Sequence, residues 1–497
     1  MPKSTSVAAL RRTLKLFALA GCMQLSTASA AATQGPTTPA KLTAAEVEVA
    51  RATPPMRQLM AYLDVFGAGD RERMRRFIET TYPSANLEGE LGFSNQTGGF
   101  DLREIHSANA REASGFVQEH NSDQFARFTI LVDSSAAHKI ERLQLRAVPR
   151  PAAFAIARMS EDALVSALRA KLGKDAAADR FSGAVILAKL DGGRSNVLLS
   201  GVYGLADREQ KVANTLDTKF RIGSMNKMFT ATSILQLVQA GKIKLADPLG
   251  KYLTDYPNKD VASKVTIHQL LTHTGGTGDI FGPDFAAHRL ELRTLNDYVG
   301  LYGTRALRYE PGSRWEYSNY GMLLLGVVIE RVSGQSYYDY VEQHVFRPAA
   351  MTHSGSLPED QAVRDRSMGY MRRNGAWTLN TNTLPYRGTS AGGGYSSVGD
   401  LVAFAEALMN NKLLNAEYTS MLITGKVDVA EGRKYAYGFE DARANGDGAV
   451  GHGGGAPGMN GDLRIYPRSG YVIAVLSNLD PPAASQITSF VDPRLPR

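Results

Sequence analysis

Residues 220–243 read "FRIGSMNKMFTATSILQLVQAGKI", with Ser224 three places before Lys227 where a strand-like run passes into a helix-like one. In the helix that follows, Phe229, Ile234, Leu237 and Val238 supply a buried face, and Gly241 marks the stop. A hydroxyl at a helix N-terminus sees the positive end of the helix dipole and free backbone N–H groups. An amine one turn further on is within its reach. A lysine partly buried beside other cations or apolar walls gives up its proton readily, and can then accept one from serine. A capping serine followed by a solvated lysine has the same spacing, so this pair needs further groups before it implies catalysis.

Two further groups follow in order. Tyr317-Ser318-Asn319 stands just before the apolar helix of "WEYSNYGMLLLGVVIERVSG", and His452-Gly453-Gly454 precedes a hairpin in "GAVGHGGGAPGMNGDL". Other matches lack the context. Tyr256-Pro257-Asn258 sits in a proline-containing loop, and His273-Thr274-Gly275 ends a helix-like run at which Gly275 reads as the stop. Glu406 lies in the amphipathic "DLVAFAEALMNN" and reads as a solvated glutamate near a helix end. His268 and His273 are five apart, so they share no helix face, and no His-Glu-x-x-His occurs. "SAGGGYSS" (390–397) reads as turns lining a cleft.

The three motifs in this order resemble the serine β-lactamase and penicillin-binding-protein superfamily, above all the branch holding class C β-lactamases, D-Ala-D-Ala carboxypeptidases, D-aminopeptidases and bacterial esterases. The likeness covers residues 175–490, including "TIHQLLTHTGG" and "YSNYGMLLLG". Tyr317 takes the place of a serine in the second motif, and His452 that of a lysine in the third. The resemblance implies acyl transfer without a cofactor. Ser224 would attack a carbonyl while Lys227 and Tyr317 share its proton, and Asn319 would orient the acyl side chain. His452, Gly453 and Gly454 would line the substrate, and the oxyanion would lie between the N–H groups of Ser224 and Gly455. The implied substrate is an ester or a D-amino-acid-containing amide or peptide. The alternatives are β-lactam or D-alanyl-D-alanine hydrolysis, and a non-catalytic envelope binding protein of the same fold. A histidine at position 452 with an ordinary pKa would lose its charge, and any hold on a substrate carboxylate, as pH rises through 6–7.

The elements that must position these groups follow from length and pattern. At 497 residues the chain exceeds one ordinary core. The formal charge of +7 includes Lys3, Arg11, Arg12 and Lys15 in an N-terminal stretch without acids, and the remaining signs interleave, which is no nucleic-acid footprint. That basic stretch, a short apolar run and Ala28-Ser29-Ala30 predict a signal peptide over residues 1–30 and export to the periplasm or envelope. The single cysteine, Cys22, ends an "LAGC" that resembles a lipoprotein box and offers a lipid anchor instead of cleavage near Ala30. Residues 31–55 read as a linker and 56–150 as a small α+β accessory domain. Through "FGAGDRERMRRF" and three later strand-like runs, that domain weakly resembles nuclear-transport-factor-like cones. Residues 151–175 read as linker and helix. Residues 176–497 read as the α/β (α+β) domain that the resemblance implies is a hydrolase, an antiparallel sheet flanked by helices, with a helical subdomain and closed by both ends of the segment.

Overall fold

The computed structural model describes residues 42–373 and 375–496, so Cys22 and Ala28-Ser29-Ala30 lie outside the described residues. The chain divides into two units, one ending at Ala157 and one running from Arg158 to the C-terminus.

In the first unit, Thr43 opens α1 (Ala44–Arg51) with a capping box: its Oγ1 accepts from Glu46 N–H, and the Glu46 carboxylate accepts from Thr43 N–H. This helix lies inside the stretch expected as linker, which is therefore helical in its second half. Pro54 and Pro55, which suggested a linker, instead start α2 (Pro54–Ala68), where a missing N–H costs no hydrogen bond. Gly69 ends α2 at φ 63°, and the Asp70 carboxylate caps α3 (Arg71–Thr80) by accepting from Arg73 N–H at 2.7 Å. After α4 (Leu87–Thr97) come β1 (Phe100–Ala108), β2 (Glu112–Glu119), β3 (Phe125–Val132) and β4 (Ile140–Val148), an antiparallel meander in chain order. Met56, Leu59 and Phe66 from α2 meet Phe100, Phe128 and Ile130 from the sheet in one core. The sequence reading missed β1 because two bulges break its alternation of faces.

The second unit begins with α5 (Glu161–Ala177), whose Leu164, Leu168 and Leu172 recur every fourth residue and are fully buried. Chain order then gives β5 (Gly183–Asp191), β6 (Arg194–Tyr203), α6 (Asn226–Gln239), α7 (Asn319–Ser333) and α8 (Val398–Met409). It closes with β7 (Val427–Ala430), β8 (Arg433–Tyr435), β9 (Glu440–Asp441), β10 (Val450–Ala456), β11 (Met459–Ile465), β12 (Tyr471–Ser477) and α9 (Ser485–Val491). The strands form one antiparallel sheet in the order β7-β8-β9-β10-β11-β12-β5-β6, so the first hairpin pairs with the last strand. That hairpin turns over Gly192 and Gly193 at φ 55° and 79°, as a two-residue turn with the strands' own twist requires.

Strand alternation splits the core into two layers. Val185, Leu187, Ile473 and Val475 face α5 and α9, while Ala184, Ile186, Val472 and Ala474 face the layer containing α6 and α8. Helix α5, which falls in the stretch read as linker and helix over residues 151–175, is thus a layer of this unit. Helix α9 begins at Ser485, three residues beyond Pro482.

Candidate active site

One tight turn, Gly223–Met225, carries the chain from the short strand Phe220–Arg221 into α6. Gly223 adopts φ 52°, and a β-carbon there would lie 3.2 Å from the Gly455 nitrogen. A β-carbon on Gly454 would lie only 1.9 Å from the Ile222 carbonyl oxygen. Strand β10 is therefore bare at Gly454 because the turn bearing Ser224 occupies the space of a side chain there. On the other side, a β-carbon on Gly392 would sit 3.5 Å from the Ser224 nitrogen, and the Gly393 N–H donates to the Gly223 carbonyl at 3.1 Å. The glycine-rich stretch expected to line a cleft packs against this turn.

Lys227 is fully buried, while Ser224 is half-buried. The Lys227 Nζ lies 3.2 Å from Ser224 Oγ and 2.7 Å from Asn319 Oδ1, and it also donates to the Ala391 carbonyl. Nζ stands 4.6 Å from the centre of the Tyr317 ring. Asn319 is delivered by the start of α7, where the Ser318 hydroxyl accepts from Gly321 N–H at 2.9 Å and donates to the Gly278 carbonyl. The structure thus brings Ser224, Lys227, Tyr317 and Asn319 together from two separate segments.

His452 sits opposite Tyr317, with ring centres 6.4 Å apart. Its Nδ1 faces the Gly453 carbonyl, which can only accept, so Nδ1 carries the proton. Nε2 then accepts from the Tyr435 hydroxyl at 3.1 Å. Both ring nitrogens are spent within the protein. Burial is the main force lowering the pKa of His452 to about 4; Lys227 also lowers it, while Glu440 opposes the shift. The imidazole is neutral at neutral pH, and the loss of charge expected at pH 6–7 moves to about pH 4. Burial likewise raises the Tyr435 hydroxyl well above its ordinary value, so it keeps the proton it donates.

Sequence reasoning set His273 aside, yet its ring lies 4.4 Å from that of Tyr317 and 4.6 Å from that of Tyr435. Its Nδ1 accepts the Ser318 N–H at 3.2 Å, and burial, then the charge on Lys227, hold its pKa well below 6.5. The left-handed residue after the short helix Ile267–Leu271 is His273 at φ 59°, not Gly275. Asp279 was also missed: both its carboxylate oxygens accept from Asn319 Nδ2 at 3.1 Å. No local pattern flags it. The remaining alternatives are structural. Tyr256 bonds the Tyr320 hydroxyl at 3.0 Å, and Asn258 caps the short helix Lys259–Lys264. Glu406 is not simply solvated, because it accepts from Ser195 N–H at 2.9 Å at the start of β6.

The family model described as Beta-lactamase matches residues 168–490. The chain belongs to this family. Similar proteins include PbpX of Bacillus subtilis, 30% identical over 60% of this chain and 70% of the relative. Protein flp of Staphylococcus aureus is 28% identical over 60% of each chain, so this chain spans less than two thirds of that relative's length. Among solved structures, a penicillin-binding protein from Bacillus halodurans is 31% identical with a TM-score of 0.58, over 67% of this chain and 98% of that one. A D-stereospecific amidohydrolase from Streptomyces is 29% identical with a TM-score of 0.54, over 66% and 97%. The matched region of the family contains every residue of the site described above and leaves the first unit outside it.

Proposed function

We propose that this member of the beta-lactamase family is a serine hydrolase working through an acyl-enzyme on Ser224, with an ester or a D-amino-acid-containing amide or peptide of the cell envelope as substrate. The observation that carries the reading is the buried Lys227 amine between Ser224 Oγ, Asn319 Oδ1 and the Ala391 carbonyl. A lysine capping a surface helix would be solvated; this one is enclosed beside the hydroxyl it would deprotonate. Tyr317, in contact with Nζ through its ring, shares the proton during acylation and activates water against the acyl-enzyme. The Ser224 and Gly455 N–H groups hold the oxyanion.

Similarity to a D-stereospecific amidohydrolase supports the amide branch. Similarity to a penicillin-binding protein supports a second reading, hydrolysis of β-lactams or D-alanyl-D-alanine peptides. The neutral, internally bonded His452 weighs against that second reading, because those substrates bring a carboxylate that this ring does not attract. Export, with a signal peptide or a lipid on Cys22, belongs to the same proposal. A fluorophosphonate should label the peptide carrying Ser224, and a panel of short p-nitrophenyl esters, D-alanyl peptides and a chromogenic cephalosporin should rank the substrates. An unlabelled Ser224 peptide returns that residue to a helix-capping role.

A further inference from the structure

Asn319 stands between an amine and a carboxylate. Its Oδ1 accepts from Lys227 Nζ at 2.7 Å, and its Nδ2 donates to Asp279. An ionised carboxylate has no hydrogen to give, so the amide edge facing Asp279 must be the NH2 and the edge facing Lys227 must be the carbonyl. We infer that Asp279 is a positioning residue of the site: by fixing the Asn319 amide, it dictates where the Lys227 amine directs its lone pair. The inference rests on Ser224 being the nucleophile.

A neutral amine has two hydrogens and one lone pair. Among the oxygens that Lys227 Nζ meets, Asn319 Oδ1 and the Ala391 carbonyl can only accept. They take the two hydrogens, and the lone pair is left for the Ser224 hydroxyl 3.2 Å away. As the Oγ–carbon bond forms, the Oγ–H proton passes to Nζ, and the ammonium that results directs its third hydrogen at Oγ. Were the Asn319 amide turned over, its NH2 would face Nζ and compete for the lone pair.

Asp279 is itself held from both sides. Its Oδ1 accepts from Ile280 N–H at 2.6 Å, and Arg305 donates to its backbone carbonyl at 2.9 Å while its other arm reaches Asp284 at 3.0 Å. The groups facing Lys227 include Tyr317, the neutral His273 and His452 and, through Asn319, Asp279; a cation beside Asp279 is Arg305. Of these groups around Lys227, Asp279 is the one with a negative charge.

The test compares the whole protein with Asp279→Asn and Asp279→Glu, reading kcat, KM and fluorophosphonate labelling of Ser224 against pH. Asp279→Asn should lower kcat at least about tenfold with KM within about threefold. Its acid limb should move to lower pH, because removing an anion eases loss of the proton from Lys227 or Tyr317. Asp279→Glu should bring the limb back toward that of the unmodified enzyme. If Asp279→Asn does not fold, Asp279→Ser carries the same expectation with a smaller uncharged side chain. An unmoved acid limb in the folded uncharged variant overturns the inference, whether kcat falls or not. Failure of the unmodified enzyme to label at Ser224 overturns the nucleophile reading, and the inference with it.

Discussion

The Ser224 hydroxyl is half-buried and lies 3.2 Å from Lys227 Nζ, so removing it deletes little packing. Ser224→Ala should abolish turnover and leave the melting temperature within a few degrees, as a thermal melt beside an ester assay will show. His452 gives a prediction of opposite kind. Its pKa falls to about 4 in the folded protein against an ordinary 6.5, so the unfolded chain binds the proton more tightly. The stability this neutral ring contributes is complete above pH 6.5 and is lost as pH falls through 4, an effect of about 3 kcal/mol. His452→Gln should therefore flatten the acid limb of stability in urea melts taken from pH 7 to 4. With the ring neutral throughout, the preference for a short uncharged ester over a cephalosporin should be at least about tenfold, or roughly 1.4 kcal/mol. That ratio should stay flat from pH 6 to 8; a ratio rising with pH would mean that His452 does carry charge in the complex. Ser224 and Lys227 were legible because their relation is local, one helical turn. Asp279 was not, because it meets Asn319 across 40 residues of chain and carries no spacing that marks it.

Strand β10 shows what an element adds to a motif. In sequence, His452-Gly453-Gly454 reads as three residues of one kind of importance. In the fold, the strand's alternation turns Gly454 toward Ile222 and Gly453 toward Asp462. A β-carbon on Gly453 has its nearest neighbour at 3.7 Å, whereas one on Gly454 would meet a backbone oxygen at 1.9 Å. Gly453→Ala should therefore keep activity within a few fold, and Gly454→Ala should push β10 off the nucleophile turn, costing at least about a hundredfold in kcat/KM if the oxyanion donors separate. Equal activity of the two purified variants would contradict this placement. Helices with a clean stripe and hairpins with a two-glycine turn were readable from pattern, as with α6 and the β5–β6 pair. Elements set by capping or by bulged pairing, α1 and β1, were not: a capping box reads as polar linker, and a bulge hides the period of two.

At the scale of the molecule, the site draws every described group from residues beyond 220, and no described helix is long and apolar enough to cross a membrane. A truncated chain beginning at Ala155 keeps α5 and the hydrogen bond from Met159 N–H to the Arg494 carbonyl. It should fold and hydrolyse a small ester at a rate comparable to the full chain; a soluble, cooperatively melting but inactive product would assign the first unit a part in the chemistry. The pairing of β12 with β5 has a different reach. Gly183 is partnered by Ser477, so the middle of the sheet joins residues separated by nearly the whole unit. Contacts of such long separation form late and slowly. While the chain is being made, Ser224 and Lys227 exist long before the strand that completes the sheet behind them. The sheet behind that pair therefore closes only once Tyr471–Ser477 has been made, and a site that needs this backing is completed late.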